Sequence, residues 1–258
     1  MKYFIADPAG NITAFVFGQL HQEAAEMLLA SGQGIEQVAF LNPPENGGHI
    51  KCDMAGGEFC GNACRAAGNF YAVRHRLSAP AEVLVEMSGG GALPVRVTAD
   101  REQGISFAHM PLPLDIVSVS WAGLTFDAVV FDGITHLISF DIQEAGLNIT
   151  PETMHELCSS LQASAVGVMF LDQELRLKPV VWVDQVASLV WESSCGSGST
   201  ACAWWLSREL TEGSRQYRFR QPGGTLEIRL NRHDGDSELM MGGRVMLRDD
   251  PFLRELEL

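Results

Sequence analysis

The sequence predicts an α+β fold built as two matched lobes. Three observations predict it. Cys60-Gly61 and Cys195-Gly196 each open what reads as a helix, both halves run in the order strands, Cys-Gly helix, strands, and 258 residues are long for a single core. The expected division is an N-terminal lobe over residues 1–113 carrying Cys60 and a C-terminal lobe over residues 114–258 carrying Cys195. A return of the last strand to the first lobe is left open.

In the first half, the turn Pro8-Ala9-Gly10-Asn11 precedes the β-rich run Ile12–Phe17, so a strand begins just after Asn11. His21–Leu29 carries a helix pattern, Gln37–Leu41 a short strand, and Cys60–Arg74 a helix of small residues suited to deep burial. Strands return at Glu82–Met87, Pro94–Thr98 and Ile105–His109, and Met110-Pro111-Leu112-Pro113-Leu114 marks the boundary. The second half has strands at Leu124–Phe131 and Leu137–Phe140, then a helix capped by Thr150 ahead of Pro151. Strands follow at Val166–Leu171, Lys178–Val183 and Leu189–Trp191, then the Cys195 helix to about Glu209. The last strands are expected in Tyr217–Arg220, Thr225–Leu230 and Gly243–Leu247, with Gln221-Pro222-Gly223-Gly224 as an architectural turn.

Composition narrows the function. A net charge of −14 with no Lys/Arg block repels phosphate backbones and anionic lipid, which argues against nucleic acid and membrane partners. The N-terminus meets a charge and a proline before any signal-length apolar run, so the cytoplasm is the expected compartment. There Cys52, Cys60, Cys64, Cys158, Cys195 and Cys202 stay reduced, and without a Cys-x-x-Cys pair no metal site is expected. Gly196-Ser197-Gly198-Ser199-Thr200 lacks the lysine of a phosphate loop, which argues against nucleotide binding.

The two cysteine turns carry the chemistry. A helix start offers unpaired N–H groups and partial positive charge, which favours a thiolate and binds an anion. Glycine beside each thiol lets the backbone approach a ligand closely. A carboxylate held by both turns would gain charge as its α-proton leaves, so the donors act as an oxyanion hole. One thiolate withdraws the proton and the other thiol returns one on the opposite face, with no cofactor required. His136 and Glu192 are the candidate groups for managing the thiol protons, against the alternatives of a satisfied strand histidine and a solvated loop acid. Cys64 and Cys202 read as small buried residues behind the turns.

On Gly10-Asn11, Gln37, Phe59-Cys60-Gly61-Asn62, the Gly133–His136 turn, Trp191-Glu192, Cys195-Gly196-Ser197-Gly198 and Pro222-Gly223-Gly224, the chain resembles the diaminopimelate epimerase superfamily of cofactor-independent racemases and epimerases. The resemblance implies that each lobe is a mixed or antiparallel sheet wrapped around a central helix, with the site in the cleft between lobes. It implies Cys60 and Cys195 as the acid/base thiols, paired with His136 and Glu192 respectively. It further implies substrate contacts from Asn11 and Gln37, and a carboxylate held by the N–H groups of Gly61, Asn62, Gly196 and Ser197. A homodimer is implied as well.

Ile134, Gly167 and Ser193 stand where diaminopimelate epimerases carry asparagine, asparagine and arginine for the distal carboxylate and amine, which speaks against that substrate. The Glu-Phe-Cys-Gly-Asn-Ala run, the short Trp-Glu-x-Ser-Cys-Gly-Ser-Gly turn and the Gln-Pro-Gly-Gly turn are similar to the histidine racemases of opine-type metallophore synthesis. The expected function is therefore racemisation of histidine or another single-carboxylate L-amino acid. The alternatives are diaminopimelate epimerisation and non-catalytic amino-acid binding. Glu36 and Glu58 are the acids that would read a basic side chain, unless they are plain surface acids.

Overall fold

A computed structural model describes residues 1–142, 146–248 and the short strand Arg254–Glu255. The chain forms two compact units, one of Met1–Met110 with Met240–Leu258 and one of Pro111–Leu239. The first crossing falls at the proline-rich run read as a boundary. The chain re-enters the first unit at Met240, before the Gly243–Leu247 segment read as the last strand. Among the described residues, no helix is long and apolar enough to cross a membrane.

The first unit is a mixed sheet with a helix on each face. Its strands are β1 (Lys2–Asp7), β2 (Thr13–Phe17), β3 (Gln37–Asn42), β4 (Ile50–Met54), β5 (Ala81–Met87), β6 (Val95–Asp100) and β7 (Ile105–His109). β16 (Asp236–Arg244), β17 (Met246–Arg248) and β18 (Arg254–Glu255) complete it, in the order β16-β7-β6-β5-β4-β3-β2-β1-β17 with β18 also on β1. β2/β3 and β4/β5 pair in parallel, while β1/β2, β3/β4, β5/β6 and β6/β7 pair antiparallel.

The central helix α2 (Gly61–Arg74) packs against β4–β7. Its small residues make the approach close: a Cβ on Gly68 would lie 2.6 Å from Val97 Cγ1. Phe4, Ala6, Phe15, Ala39 and Leu41 face this helix. Tyr3, Ile5, Ala14, Val16, Val38 and Phe40 face the other way, toward Ala25 and Leu28 of α1 (Gln22–Leu29).

β1 is absent from the sequence reading, and this packing explains why. Tyr3, Phe4, Ile5 and Ala6 are all buried, so the strand shows no polar alternation to detect. β6 starts at Val95, one residue after the expected Pro94, which has no N–H for the ladder. The expected strand Gly243–Leu247 is two strands that break at Val245, whose N–H goes to Gly104 O.

The second unit has a sheet in the order β13-β12-β11-β10-β9-β8. In chain order these are β8 (Asp115–Trp121), β9 (Leu124–Val130), β10 (Thr135–Phe140), β11 (Ala165–Leu171), β12 (Leu177–Val183) and β13 (Ser188–Trp191). Only β10/β11 is parallel among its pairs. Helix α3 (Pro151–Ser160), capped by Thr150, lays Met154, Leu157 and Cys158 on one face of the sheet. Helix α4 (Gly196–Leu206) contacts β10 and β11 and the hairpin of β14 (Gly213–Gln221) and β15 (Gly224–His233). The two-residue turn Pro222-Gly223 closes that hairpin, as the sequence reading expects.

Candidate active site

Both units build a thiol into the same local device. Cys60 is the N-cap of α2 and Cys195 the N-cap of α4, each in extended backbone, at φ −127°, ψ 106° and φ −109°, ψ 112°. The sulfur takes the place of the usual serine or aspartate oxygen. Ala63 N donates to Cys60 Sγ at 3.4 Å and Gly198 N donates to Cys195 Sγ at 3.3 Å. Each sulfur thus sits at the positive end of a helix with an amide aimed at it, which favours its anionic form.

In the first unit, the Cys60 thiol faces Gln37 Oε1 at 3.1 Å and Asn11 Oδ1 at 3.9 Å. Asn11 is buried and its Nδ2 donates to Glu36 Oε2 at 3.5 Å. The N–H groups of Glu36 and Gln37 both run to Ile12 O, which joins this side chain set to the start of β2. Sequence-predicted Asn11, Gln37, Gly61 and Asn62 are therefore assembled around Cys60. Glu36 and Glu58 are both exposed, and Glu36 holds Asn11. Gly61 must remain glycine, because a Cβ there would lie 2.7 Å from Met241 Cε and 2.8 Å from Met110 Sδ.

In the second unit, Cys195 is 4% exposed. Burial pushes its thiol well above the usual thiol range, and the Glu192 carboxylate, acting by charge and by a hydrogen bond, pushes it further. The Gly198 N–H and the Ser197 hydroxyl pull the other way. Ser197 Oγ lies 3.6 Å from Cys195 Sγ and 2.9 Å from His136 Nε2, so thiol, hydroxyl and imidazole form a chain.

His136 is fully buried on β10, and burial pulls its imidazole down to about 3, leaving the ring neutral at physiological pH. Its Nδ1 has no hydrogen-bond partner among the described residues. The ring lies on Gly167, its register partner on β11: a Cβ at 167 would crowd His136 Cε1 at 3.0 Å and Met169 Cε at 2.8 Å. Glycine at this position, read from the sequence as a lost polar contact, makes room for the imidazole.

Gln221, read from the sequence only as part of an architectural turn, holds the Cys195 loop. Its Oε1 accepts from Cys195 N at 2.8 Å, and its Nε2 donates to Ser199 Oγ at 2.9 Å. Ser199 Oγ in turn donates to Cys195 O, and Gly223 N donates to Ser193 O at 2.8 Å. The β14–β15 turn therefore holds the loop from Trp191 to Cys195 at several points. Trp191 itself is stacked on Phe170 with Lys178 Nζ 4.6 Å from its ring centre.

A pH prediction follows from His136. Its folded-state value lies below its unfolded one, so the stability it contributes is present above about pH 6.5 and is lost as pH falls from there toward 3. All five tryptophans lie in the second unit, so their fluorescence reports this unit's denaturation. From pH 6.5 to 4.5 the wild-type unit is expected to lose about 2 kcal/mol more than His136→Asn. Parallel pH profiles would refute it.

Residues 1–248 match the family model described as the histidine racemase CntK N-terminal domain. The chain belongs to this family. It is 29% identical to the histidine racemase of Fusobacterium nucleatum subsp. nucleatum (strain ATCC 25586), over 96% of this chain and 97% of that relative. It is 25% identical to the histidine racemase of Staphylococcus aureus (strain Mu50), over 86% of this chain and 85% of that relative.

Solved structures share the fold at low identity. A predicted epimerase from Pseudomonas aeruginosa has a TM-score of 0.72 at 16% identity, covering 99% of this chain and 98% of that one. A probable proline racemase from Agrobacterium radiobacter K84 has a TM-score of 0.71 at 15% identity, covering 100% and 93%. The racemase family membership makes this protein an isomerase that acts on an amino acid.

Proposed function

We propose that the protein racemises histidine by 1,1-proton transfer between two thiols, Cys60 and Cys195. The observation that carries the reading is the duplicated cap: two thiols, one per unit, each at a helix start and each accepting the third amide of its helix. One sulfur, as thiolate, takes the α-proton and becomes a thiol. The other, as thiol, gives its proton to the opposite face of the same carbon and becomes a thiolate, so one proton leaves and one arrives.

The amides of Gly61, Asn62, Gly196 and Ser197 hold the α-carboxylate, where charge builds in the carbanion. Asn11 and Gln37 orient the substrate beside Cys60. Glu192 accepts the Cys195 proton when that thiol must become the base. His136, which the resemblance pairs with Cys60, is in this reading neutral and orders Ser197 beside Cys195 instead. Histidine as substrate is supported by the names of the relatives at 29% and 25% identity. Gly167, filled from the His136 side, leaves no asparagine for a distal polar group.

The test is a panel of L-amino acids, including histidine, proline and LL-diaminopimelate, incubated with the enzyme in D₂O. The expected result is α-deuterium incorporation and D-product with histidine in large excess over the others. Turnover of diaminopimelate alone would replace histidine as the substrate, and no exchange with any member would defeat the reading.

A further inference from the structure

Ser197 is the second residue of α4, and its hydroxyl is placed unlike the others of this turn. Ser199 Oγ donates back to Cys195 O at 2.6 Å and Thr200 Oγ1 donates back to Gly196 O at 2.9 Å, the usual fate of a hydroxyl in a helix. The capping place at the helix start is held by the Cys195 sulfur, which accepts from Gly198 N. Ser197 Oγ instead stands between two side chains, with His136 Nε2 at 2.9 Å and Cys195 Sγ at 3.6 Å. The other cysteine turn is built differently: Asn62, at the same offset from Cys60, accepts from Arg65 Nε at 3.2 Å through its Oδ1.

The imidazole decides which way the Ser197 hydroxyl points. Burial leaves the His136 ring neutral, so it carries a single N–H. Either tautomer can bond Ser197 through Nε2. The two differ at Nδ1, which is buried against Gly167 and has no hydrogen-bond partner among the described residues. A proton there would be a stranded N–H, which is rarer in folded proteins than an under-satisfied acceptor. The proton therefore belongs on Nε2, which donates to Ser197 Oγ. A hydroxyl has one proton to give, and with its oxygen accepting from the ring that proton is turned to the sulfur. The sulfur needs such a donor, because it is 4% exposed and the Glu192 carboxylate repels a second negative charge. β11 presents Met169 at this turn and β14 presents Gln221, both without charge.

We propose that the Ser197 side chain is a positioning residue: fixed by the Nε2–H of His136, its hydroxyl donates to the Cys195 thiolate and steadies it for its turn as the base. Ser197 then has two separate tasks, its amide serving the substrate carboxylate and its hydroxyl serving the sulfur. A hydrogen bond to an ionised acceptor is among the stronger ones, so it offsets part of what burial costs the thiolate. The part concerning turnover rests on the two-thiol reaction proposed above; the hydrogen-bond chain does not.

Nitrogen NMR of the isotope-labelled histidines reads the chain at its origin. The protein has seven histidines, and the His136 signals are those lost in His136→Asn. They are expected to show a protonated Nε2 and a bare Nδ1 near neutral pH, and a proton on Nδ1 would overturn the proposal. This measurement is made on the wild type, so it decides even where a variant does not fold. At the sulfur, the rate of Cys195 modification by a small methanethiosulfonate at one mildly alkaline pH is followed by mass spectrometry. It is expected to fall about tenfold in Ser197→Ala and to return to within about twofold of wild type in Ser197→Thr, which keeps the hydroxyl. A folded Ser197→Ala protein with the wild-type rate would also overturn the proposal. In turnover, Ser197→Ala is expected to lower kcat about tenfold and to move the Cys195 limb of the pH profile to higher pH, with Ser197→Thr restoring both. Absence of turnover in every form, with the NMR and modification results as expected, would defeat the racemase reading and leave the hydrogen-bond chain standing.

Discussion

Cys60→Ala and Cys195→Ala are each expected to lower kcat for racemisation by at least about 10³-fold, the range attributed to a positioned acid or base. Alanine does two things at once. It removes the proton carrier, and it removes the acceptor of Ala63 N or Gly198 N, a cap worth about 1 kcal/mol. Serine separates the two effects. A hydroxyl caps a helix as well as or better than a thiol, yet it is a far weaker acid at neutral pH.

Cys60→Ser and Cys195→Ser should therefore keep the wild-type melting temperature within a degree or two while losing nearly as much activity as the alanine forms. Chiral chromatography of the product and thermal denaturation measure both sides. Retention of activity within tenfold in either serine variant would exclude that thiol as a proton carrier.

The second large effect is expected at Glu192. Two influences hold the Cys195 proton in place, and burial is the greater, with the Glu192 charge after it. Glu192→Gln removes the smaller one. The thiol's ionisation moves down somewhat, but burial still keeps it protonated near pH 7, and the group that could accept its proton is gone. Lost acceptance should outweigh eased ionisation, so kcat is expected to fall about 10²-fold. The alkaline limb of its pH profile should move to lower pH, because the like charge beside the thiol has been removed. An unchanged kcat would assign Glu192 a structural part only.

Much of this was legible in the sequence because it is local. The Cys-Gly turns announce helix starts through residues that are adjacent in the chain, and α2, α3 and their caps follow the same logic. Strands such as β5, β7 and β15 show apolar runs bounded by turns. β1 was hidden because it is covered on both faces. The beginning of β16, Asp236-Ser237-Glu238, has no apolar signal of its own.

The site shows the same divide. Asn11, Gln37 and the glycines beside each cysteine could be marked from motifs. Gln221 could not be given its place, because the bond from Cys195 N to its side chain spans 26 positions and depends on where a hairpin packs. Gly167 could be read only as an absence until its register with His136 placed the ring over it. Arg65, within the helix α2, is enclosed by the return of the chain through Gly243 and Arg244, which no local spacing announces.

What the sequence by itself determined was where the two thiols stand, at two helix starts, since a cap and its glycine are set by consecutive residues. The tertiary structure alone decided what surrounds each thiol. Burial, strand register and the approach of distant side chains set the neutral His136, the protonated Cys195 and the enclosed Arg65, and none of these is encoded in local spacing.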